Sequence, residues 1–317
     1  MEAEEKLMKK KILVSVDDSQ HSTNALRYAA RASAFVPNLH YALFHVQPMI
    51  SLFLQDEAQK SMKTKIELEK LLKKNDESAH RLLQNFKNEM VRMGISEDRI
   101  EIATGLRKVG LAKDILEYSQ DNQYDAIVIG RRGLTRVQEM FAGSASANII
   151  EHSQVIPVWL VDGNPAGNEL MVAVDGSEAS LRAIDHVSFL LSGNTDIRLT
   201  LMHVTSRARD YCEINFDETP SDELEEIVAR GDKACIERFY AQALQKFKNS
   251  GFSEDQLETA TINKTGNTGR IILEAAEKGN YGTLVIGRKG VDKAFFMGSV
   301  SRTIISRVSD RAVWLVP

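Results

Sequence analysis

Two glycine-containing segments have the composition of an anion-binding loop. The first contains Gly130-Arg131-Arg132-Gly133 and, after nine further residues, Gly143-Ser144-Ala145-Ser146. Glycines let backbone amides approach an anion closely, and a helix that begins at Gly-Ser presents unpaired N–H groups and the positive end of its dipole. Serine hydroxyls and neighbouring arginines add donors and positive charge. The pattern predicts a phosphate-binding site at the start of a helix.

A carboxylate is the second candidate group, and it follows the first apolar segment of each half of the chain. Asp17 comes directly after Ile12–Val16, and Asp175 follows the similar segment Leu170–Val174. An aspartate there can accept a hydrogen bond from a ribose hydroxyl or help to hold a cation. Together with a phosphate site it favours a nucleotide as the ligand. Two alternatives stay open, since Asp17 and Ser144 also suit the caps of the helices that follow them.

Several other kinds of site have no support in the sequence. The Walker pattern is absent, as is a G-x-G-x-x-G after the first strand, which disfavours a P-loop hydrolase or a dinucleotide dehydrogenase. No His/Cys cluster indicates a metal site, and no Ser/His/Asp or Cys/His spacing indicates a nucleophile. We interpret His45 and His203, which close one apolar run in each half, as structural. No catalytic residue and no metal ligand are predicted.

The candidate residues occur twice because the chain repeats itself. Lys11–Ser19 returns as Glu169–Ser177, an offset of 158, and later matches keep this offset to within three residues. So small a drift over so long a period indicates a duplicated domain. The Gly/Pro-rich segment 162–167 is the natural linker. We predict a first domain over residues 1–162 and a second over 163–317.

Each half alternates short apolar runs with long amphipathic segments, which is typical of β-α units around a parallel sheet. In the first half the predicted strands are Ile12–Val16, Tyr41–Val46, Ile100–Ala103, Ala126–Ile129 and Val158–Val161. The predicted helices are Ser22–Phe35, Ala58–Met93, Leu111–Ser119 and Ala145–Glu151. The candidate residues then follow the carboxyl ends of strands, which is where open parallel sheets bind ligands.

Composition bounds the class of protein. The 317 residues are 43% apolar and 26% charged, with a net charge of −4, which is typical of a globular protein and unlike the basic balance of nucleic-acid binders. Cys212 and Cys235 are too few for a disulfide framework. No apolar run approaches the roughly 20 residues of a membrane helix. We predict a cytoplasmic protein that binds neither nucleic acid nor membrane.

The combined pattern resembles the universal stress protein family. It consists of V-x-V-D-x-S at Val14–Ser19, the His-Val that ends the second strand, and G-x2-G-x9-G-S after the fourth. The resemblance covers about Lys10–Asp162 and again about Asn168–Pro317, so the chain resembles a tandem universal stress protein. It implies an α/β fold with two Rossmann-like domains. Each would have an open five-stranded parallel sheet, order 3-2-1-4-5, with helices on both faces.

The resemblance also implies an adenine-nucleotide site in each domain, with ATP or AMP as the ligand and Mg²⁺ able to accompany it. The aspartate would lie near the adenosine, the valine after the second strand would meet adenine through its backbone, and the glycine segment would surround ribose and phosphates. In the first domain the implied residues are Ser15, Val16, Asp17, Val46, Ile129, Gly130, Arg132, Gly133, Gly143, Ser144, Ala145 and Ser146. In the second they are Ala173, Val174, Asp175, Val204, Ile286, Gly287, Lys289, Gly290, Gly298, Ser299, Val300 and Ser301.

The second domain departs from the family pattern in its glycine segment. Seven residues, Val291–Met297, replace the nine of the first domain, and Phe295 and Phe296 crowd the approach to Gly298. We expect the second site to bind adenine nucleotide with a preference for fewer phosphates. Two classes of function remain open. One is a nucleotide-dependent regulator in the stress response, with at most weak ATP hydrolysis or autophosphorylation, and the other is a protein-interaction scaffold that does not bind nucleotide.

The resemblance also bears on assembly, because the family dimerises through its last strand. Val158–Val161 and Val313–Val316 carry matching tryptophans, Trp159 and Trp314, which suit a buried interface. We therefore predict an intramolecular pseudo-dimer of the two domains, and leave open a further homodimer.

Overall fold

The computed structural model describes residues 8–131, 145–166, 169–205, 221–288 and 297–317. The chain forms two compact units, and the division between the two copies of the repeat falls between Asn164 and Pro165. Among the described residues, no helix combines the length and the apolar character that crossing a bilayer demands.

Strands and helices alternate in the first unit. The strands are β1 (Lys10–Ser15), β2 (Leu39–Gln47), β3 (Ile100–Leu106), β4 (Ala126–Gly130) and β5 (Val158–Val161). The helices are α1 (Gln20–Ala32), α2 (Leu52–Lys60), α3 (Met62–Arg92), α4 (Leu111–Asp121) and α5 (Ala145–His152). The strands pair in parallel in the order β3-β2-β1-β4-β5. The predicted α/β class with a parallel sheet is confirmed.

The second unit repeats this arrangement. Its strands are β6 (Leu170–Ala173), β7 (Leu199–Val204), β8 (Leu257–Ile262), β9 (Thr283–Gly287) and β10 (Ala312–Val316). Its helices are α6 (Glu178–Leu191), α7 (Asp222–Asn249), α8 (Thr268–Lys278) and α9 (Ser299–Arg307). The parallel order β8-β7-β6-β9-β10 matches that of the first unit.

The path of the chain explains why helices cover both faces of the first sheet. β1, β2 and β3 follow one another toward one edge, and α4 then carries the chain back to β4 on the other side of β1. Because β-α-β crossovers are right-handed, this reversal moves the connecting helices to the opposite face. In agreement, α1 packs against α3 and α4 packs against α5. The ends of β1 and β4 therefore form a topological switch point.

Central strands are buried, as their uniform apolar character predicts. Residues Ala126–Ile129 of β4 are at most 3% exposed, and Ile12–Val14 of β1 are fully buried. Each last strand adds a buried tryptophan, and Trp159 packs edge-on against Tyr28 at a centroid distance of 6.3 Å. This packing holds in place the strands whose carboxyl ends carry the candidate site.

The segment predicted as one helix over Ala58–Met93 is two helices. Ser61 has φ −135° and ψ 120°, so it ends α2, and its Oγ accepts a hydrogen bond from the Thr64 N–H at 3.4 Å to cap α3. The buried residues of the 31-residue α3 all lie in its second half: Ala79, Leu83, Phe86 and Met90. Sequence periodicity missed the break because a serine does not interrupt a helical pattern of apolar residues.

Candidate functional site

A cleft lies at the switch point of the first unit. Its described lining comes from the β1–α1 connection, the end of β2, α4, the end of β4 and the first turns of α5. These residues are Ser15, Val16, Asp17, Ser19, His21, Ser22, His45, Val46, Leu111, Ile115, Ile129, Gly130, Ala145, Ser146 and Ile149. The structure thus brings together all predicted residues of the first unit that it describes. Arg132, Gly133, Gly143 and Ser144 lie outside the described residues.

The carboxylate of Asp17 is held by two serines. Its Oδ1 accepts hydrogen bonds from Ser19 Oγ at 2.5 Å and Ser22 Oγ at 2.7 Å, and its own N–H donates to Ser22 Oγ at 2.8 Å. Ser19, not Asp17, caps α1, because Ser19 Oγ accepts from the Ser22 N–H. The cap alternative for Asp17 is therefore wrong. The two hydroxyls fix the orientation of this carboxylate at the mouth of the cleft.

Asp175 in the second unit has a similar setting, in which one serine hydroxyl and one backbone N–H donate to its carboxylate. Ser180 Oγ donates to Asp175 Oδ1 at 2.6 Å and accepts from the Asp175 N–H at 3.0 Å. The Ser177 N–H also donates to Asp175 Oδ1, at 3.0 Å, and Ser177 caps α6. The underlying signal, D-x-S-x-x-S in both halves, is readable in the sequence, although only its first serine entered the predicted motif.

Gly130 is required by helix packing. A Cβ built on it would lie 2.3 Å from the carbonyl oxygen of His21 and 2.8 Å from its Cβ, far inside contact distance. In the second unit a Cβ on Gly287 would lie 2.8 Å from the Cβ of Ala179. Glycine at the end of the fourth strand thus lets the first helix of each unit approach the sheet. This gives both glycines a packing role that is independent of any ligand.

The hydroxyl protons of Ser146 and Ser301 are engaged by the backbone. Ser146 Oγ donates to the Gly130 carbonyl at 3.0 Å, and Ser301 Oγ donates to the Gly287 carbonyl at 2.8 Å. A hydroxyl has one proton to donate, so in this arrangement neither serine has a donor left for a phosphate. What the start of α5 offers an anion is its backbone N–H groups and the helix dipole.

Arg131 also differs from the sequence expectation that it adds charge near a phosphate. Its Nη1 lies 3.3 Å from Asp162 Oδ1, and the two side chains are only 16% and 19% exposed. A half-buried ion pair largely cancels the field of the guanidinium at a distance. Arg131 therefore ties the end of β4 to the residue after β5.

The two histidines that end the second strands are anchored to the backbone. His45 Nδ1 lies 2.8 Å from the Val16 carbonyl, and His203 Nδ1 lies 3.0 Å from the Val174 carbonyl. Each therefore joins the end of one strand to the end of its neighbour. His203 also contacts Asp232 of α7 through Nε2, at 2.9 Å, in a pair whose side chains are 3% and 9% exposed. These contacts support the structural interpretation of both histidines, and His45 in addition lines the first cleft.

In the second unit, Tyr240 attaches α7 to the neighbouring strand β8. Burial raises the pKa of the Tyr240 phenol, which keeps it protonated, and its hydroxyl donates to the Ala260 carbonyl at 2.9 Å.

Two groups of the first unit with shifted pKa values lie away from the cleft. Burial lowers the pKa of Lys10 to about 8 and raises that of Asp125. Both residues lie at the amino ends of β1 and β4, whereas the cleft lies at the carboxyl ends of these strands.

The other predicted residues of the second unit occupy positions equivalent to those in the first. Gly298 caps α9, and its N–H donates to the Arg288 carbonyl at 3.0 Å. The remaining described residues lie at the ends of β6, β7 and β9 or in the first turn of α9: Ala173, Val174, Asp175, Val204, Ile286, Gly287, Ser299, Val300 and Ser301. Lys289 and Gly290 lie outside the described residues.

Several residues of the first cleft were missed from the sequence. Leu111 and Ile115 are one helical turn apart on α4, and Ile149 lies on α5, so they give the cleft apolar walls. Their spacing alone resembles that of ordinary core residues. His21 was missed because it lies in the first turn of α1 and does not directly follow a strand. Within the described segments, no group of three or more His, Cys, Asp or Glu side chains is placed to hold a metal ion.

Comparison with known proteins supports the fold. A universal stress protein from Archaeoglobus fulgidus DSM 4304 has a TM-score of 0.66 at 19% identity, covering 96% of this chain and 97% of that chain. A putative universal stress protein from Pseudomonas aeruginosa UCBPP-PA14 has a TM-score of 0.59 at 15% identity, covering 98% and 94%. Identities this low show similarity of fold alone. A comparison with curated proteins found no match.

A family model gives the decisive match. The model described as "Universal stress protein family" matches residues 8–162 and, a second time, residues 168–317. The two matches together account for nearly the whole chain and coincide with the two copies of the repeat. The chain therefore belongs to the universal stress protein family, with two of its domains in tandem.

Proposed function

We propose that the first unit binds an adenine nucleotide, ATP or AMP, in the cleft between β1 and β4. We further propose that the chain acts in the stress response as a nucleotide-dependent regulator. The observation that carries the proposal is the convergence in one cleft of an oriented carboxylate at Asp17, the end of β2 at Val46, and the start of α5. Family membership supports the stress-response part.

The lining suits the parts of a nucleotide in turn. Val16, Leu111, Ile115, Ile129 and Ile149 offer apolar walls to a purine base. Asp17, fixed by its two serines, can accept a hydrogen bond from an amino or hydroxyl group of adenosine. The N–H groups at the start of α5 suit an anion. ATP supplies Mg²⁺-binding oxygens of its own, so a bound magnesium would be held mainly through the phosphates.

The second unit is proposed to bind adenine nucleotide as well, with a preference for fewer phosphates. Asp175 supports this part, because its hydrogen bond from Ser180 Oγ matches the one from Ser22 Oγ to Asp17. The shorter glycine segment and its two phenylalanines support the weaker engagement of phosphates. The two sites would then differ in ligand preference rather than in presence.

Calorimetric titration of ATP with magnesium into the nucleotide-stripped chain tests the proposal. We expect one or two sites per chain. Asp17→Asn and Asp175→Asn should each weaken one site about tenfold or more, since each removes the charge from a hydrogen-bonding carboxylate. Asp18→Asn is the matched control, because Asp18 is the exposed neighbour of Asp17 and does not line the cleft.

Absence of binding would overturn the proposal. If the wild-type chain gives no heat at millimolar ATP or AMP, and equilibrium dialysis agrees, the proposal is wrong and the protein-interaction scaffold is the alternative that remains. If nucleotide binds but both Asp17→Asn and Asp175→Asn bind as the wild type does, the ligand site lies elsewhere.

A further inference from the structure

We infer that two copies of this chain bind each other through α3 of one copy and α7 of the other. The surface on the first copy, the basic patch, belongs to α2 and the start of α3 and consists of Leu52, Phe53, Met62, Lys63, Ile66 and Lys73. The surface on the second copy, the acidic patch, belongs to the start of α7 and consists of Asp222, Glu223, Leu224, Glu226 and Ile227. Neither patch contains a residue of the proposed nucleotide sites.

The basic patch exposes apolar side chains that its own chain leaves uncovered. α2 buries none of its nine residues, although Leu52 and Phe53 are apolar, and it packs against α3. Leu52, Phe53 and Met62 are at least 70% exposed. The exposed Ile66 lies one helical turn from both Met62 and Lys63, so apolar and basic side chains share this face of α3. Exposed apolar side chains concentrated in this way mark an interaction surface.

The acidic patch combines the same feature with the opposite charge. Leu224 and Ile227 are exposed and lie three residues apart, so they are on the same face of α7. Glu223 lies one turn before Ile227, and the exposed Asp222 and Glu226 add two more carboxylates beside the apolar pair. This composition suits a partner surface that is apolar and carries positive charge.

The two patches lie on corresponding helices of the duplicated domains. Three buried residues of each helix correspond at an offset of 157: Ala79, Phe86 and Met90 of α3, and Ile236, Ala243 and Phe247 of α7. On this alignment, residues 65–75 contain four lysines and two glutamates, whereas residues 222–232 contain one arginine and five acidic residues. The chain therefore carries two similar helices whose exposed first halves have opposite charge.

This difference in charge identifies a second copy as the occupant of each patch. All residues of both patches are exposed, so within one chain neither patch covers the other. Lys63, Lys73, Glu223 and Glu226 form no ion pair with the part of the chain that the structure describes.

Opposite charge also determines which helices pair. Contact of α3 with α3 would bring lysines together, and contact of α7 with α7 would bring carboxylates together. Contact of α3 with α7 places opposite charges beside apolar side chains from both helices, and like-charge repulsion disfavours the other two pairings. The interface is therefore heterologous, with a different patch contributed by each copy.

Two variants, each with one patch disabled, test the inference. Ile66→Asp places a carboxylate opposite the acidic patch, and Ile227→Lys places an ammonium opposite the basic patch. We expect each variant to weaken self-association roughly tenfold or more in sedimentation velocity, because each replaces an apolar contact by like-charge repulsion. Val91→Asp is the matched control, since Val91 lies in the last turn of α3 and is 41% exposed, compared with 42% for Ile66.

Mixing the two variants tests the pairing itself. Ile66→Asp retains the acidic patch and Ile227→Lys retains the basic patch, so the mixture should form a one-to-one complex although neither variant associates well alone. Added salt should weaken the complex, since it screens the charges of the exposed patches.

Four results would overturn the inference. One is a wild-type chain that stays monomeric at every concentration up to its solubility limit. Another is self-association of both variants as strong as that of Val91→Asp, which would assign it to a different surface. The third is weakening by one variant alone, and the fourth is a mixture without the one-to-one complex, since either would show that the patches do not bind each other. Nucleotide titration of the same variants should match the wild type, so failure of the proposed function would leave this inference untouched.

Discussion

At the residue scale, Gly130 is a motif glycine that the packing of α1 requires. The effect of its substitution on stability therefore has to be measured before its effect on nucleotide binding. Alanine at this position would place its Cβ 2.3 Å from the His21 carbonyl oxygen, so α1 would have to move away from β4. We expect Gly130→Ala to lower the free energy of unfolding by about 1–3 kcal/mol, the usual cost of overpacking. Urea denaturation followed by circular dichroism measures it.

A second glycine provides the control for this prediction. Gly231 is exposed within α7, and a Cβ built on it meets no atom within 4 Å. Gly231→Ala should therefore raise the free energy of unfolding by about 0.5–1 kcal/mol, the difference in helix propensity. Unchanged stability of Gly130→Ala would contradict the packing role. Loss of nucleotide binding in a destabilised Gly130 variant would not show contact with a phosphate.

At the element scale, α7 is tied to β7 by the pair of Asp232 and His203. His203 is 2% exposed, so removal of its carboxylate partner leaves a polar nitrogen buried without an acceptor. We expect Asp232→Ala to lower the free energy of unfolding by about 1–3 kcal/mol. Asp232→Asn keeps an oxygen at the same place and should lose less. If both variants are as stable as the wild type in urea denaturation, the pair contributes nothing to the attachment of α7.

The elements also show what the sequence could predict. Apolar runs located the strands of the first unit and identified β1 and β4 as central, because burial on both faces leaves a continuous apolar signal. Helix ends were less predictable, since α1 begins at Gln20 behind the Ser19 cap and Ser61 divides α2 from α3. The cleft was predicted where its residues follow strands. His21 and Leu111 were missed because they line it from helices, which only the folded chain brings together.

At the scale of the whole molecule, the duplication supplies one buried tryptophan for each unit. Trp159 lies in β5 and Trp314 in β10, and both are fully buried. In a Trp314→Phe variant the fluorescence reports the first unit, and in a Trp159→Phe variant it reports the second. Thermal unfolding of the two variants, with and without ligand, therefore measures which unit a nucleotide stabilises.

Linkage fixes the expected result of that measurement. A ligand at 100 times its Kd stabilises the unit that binds it by about 2.7 kcal/mol. If the first unit has the stronger preference for phosphates, ATP raises the unfolding temperature reported by Trp159 more than the one reported by Trp314. With AMP the two unfolding temperatures should rise by more similar amounts. An ATP shift that is equal or larger at Trp314 would contradict a division of labour in which the first unit binds the triphosphate.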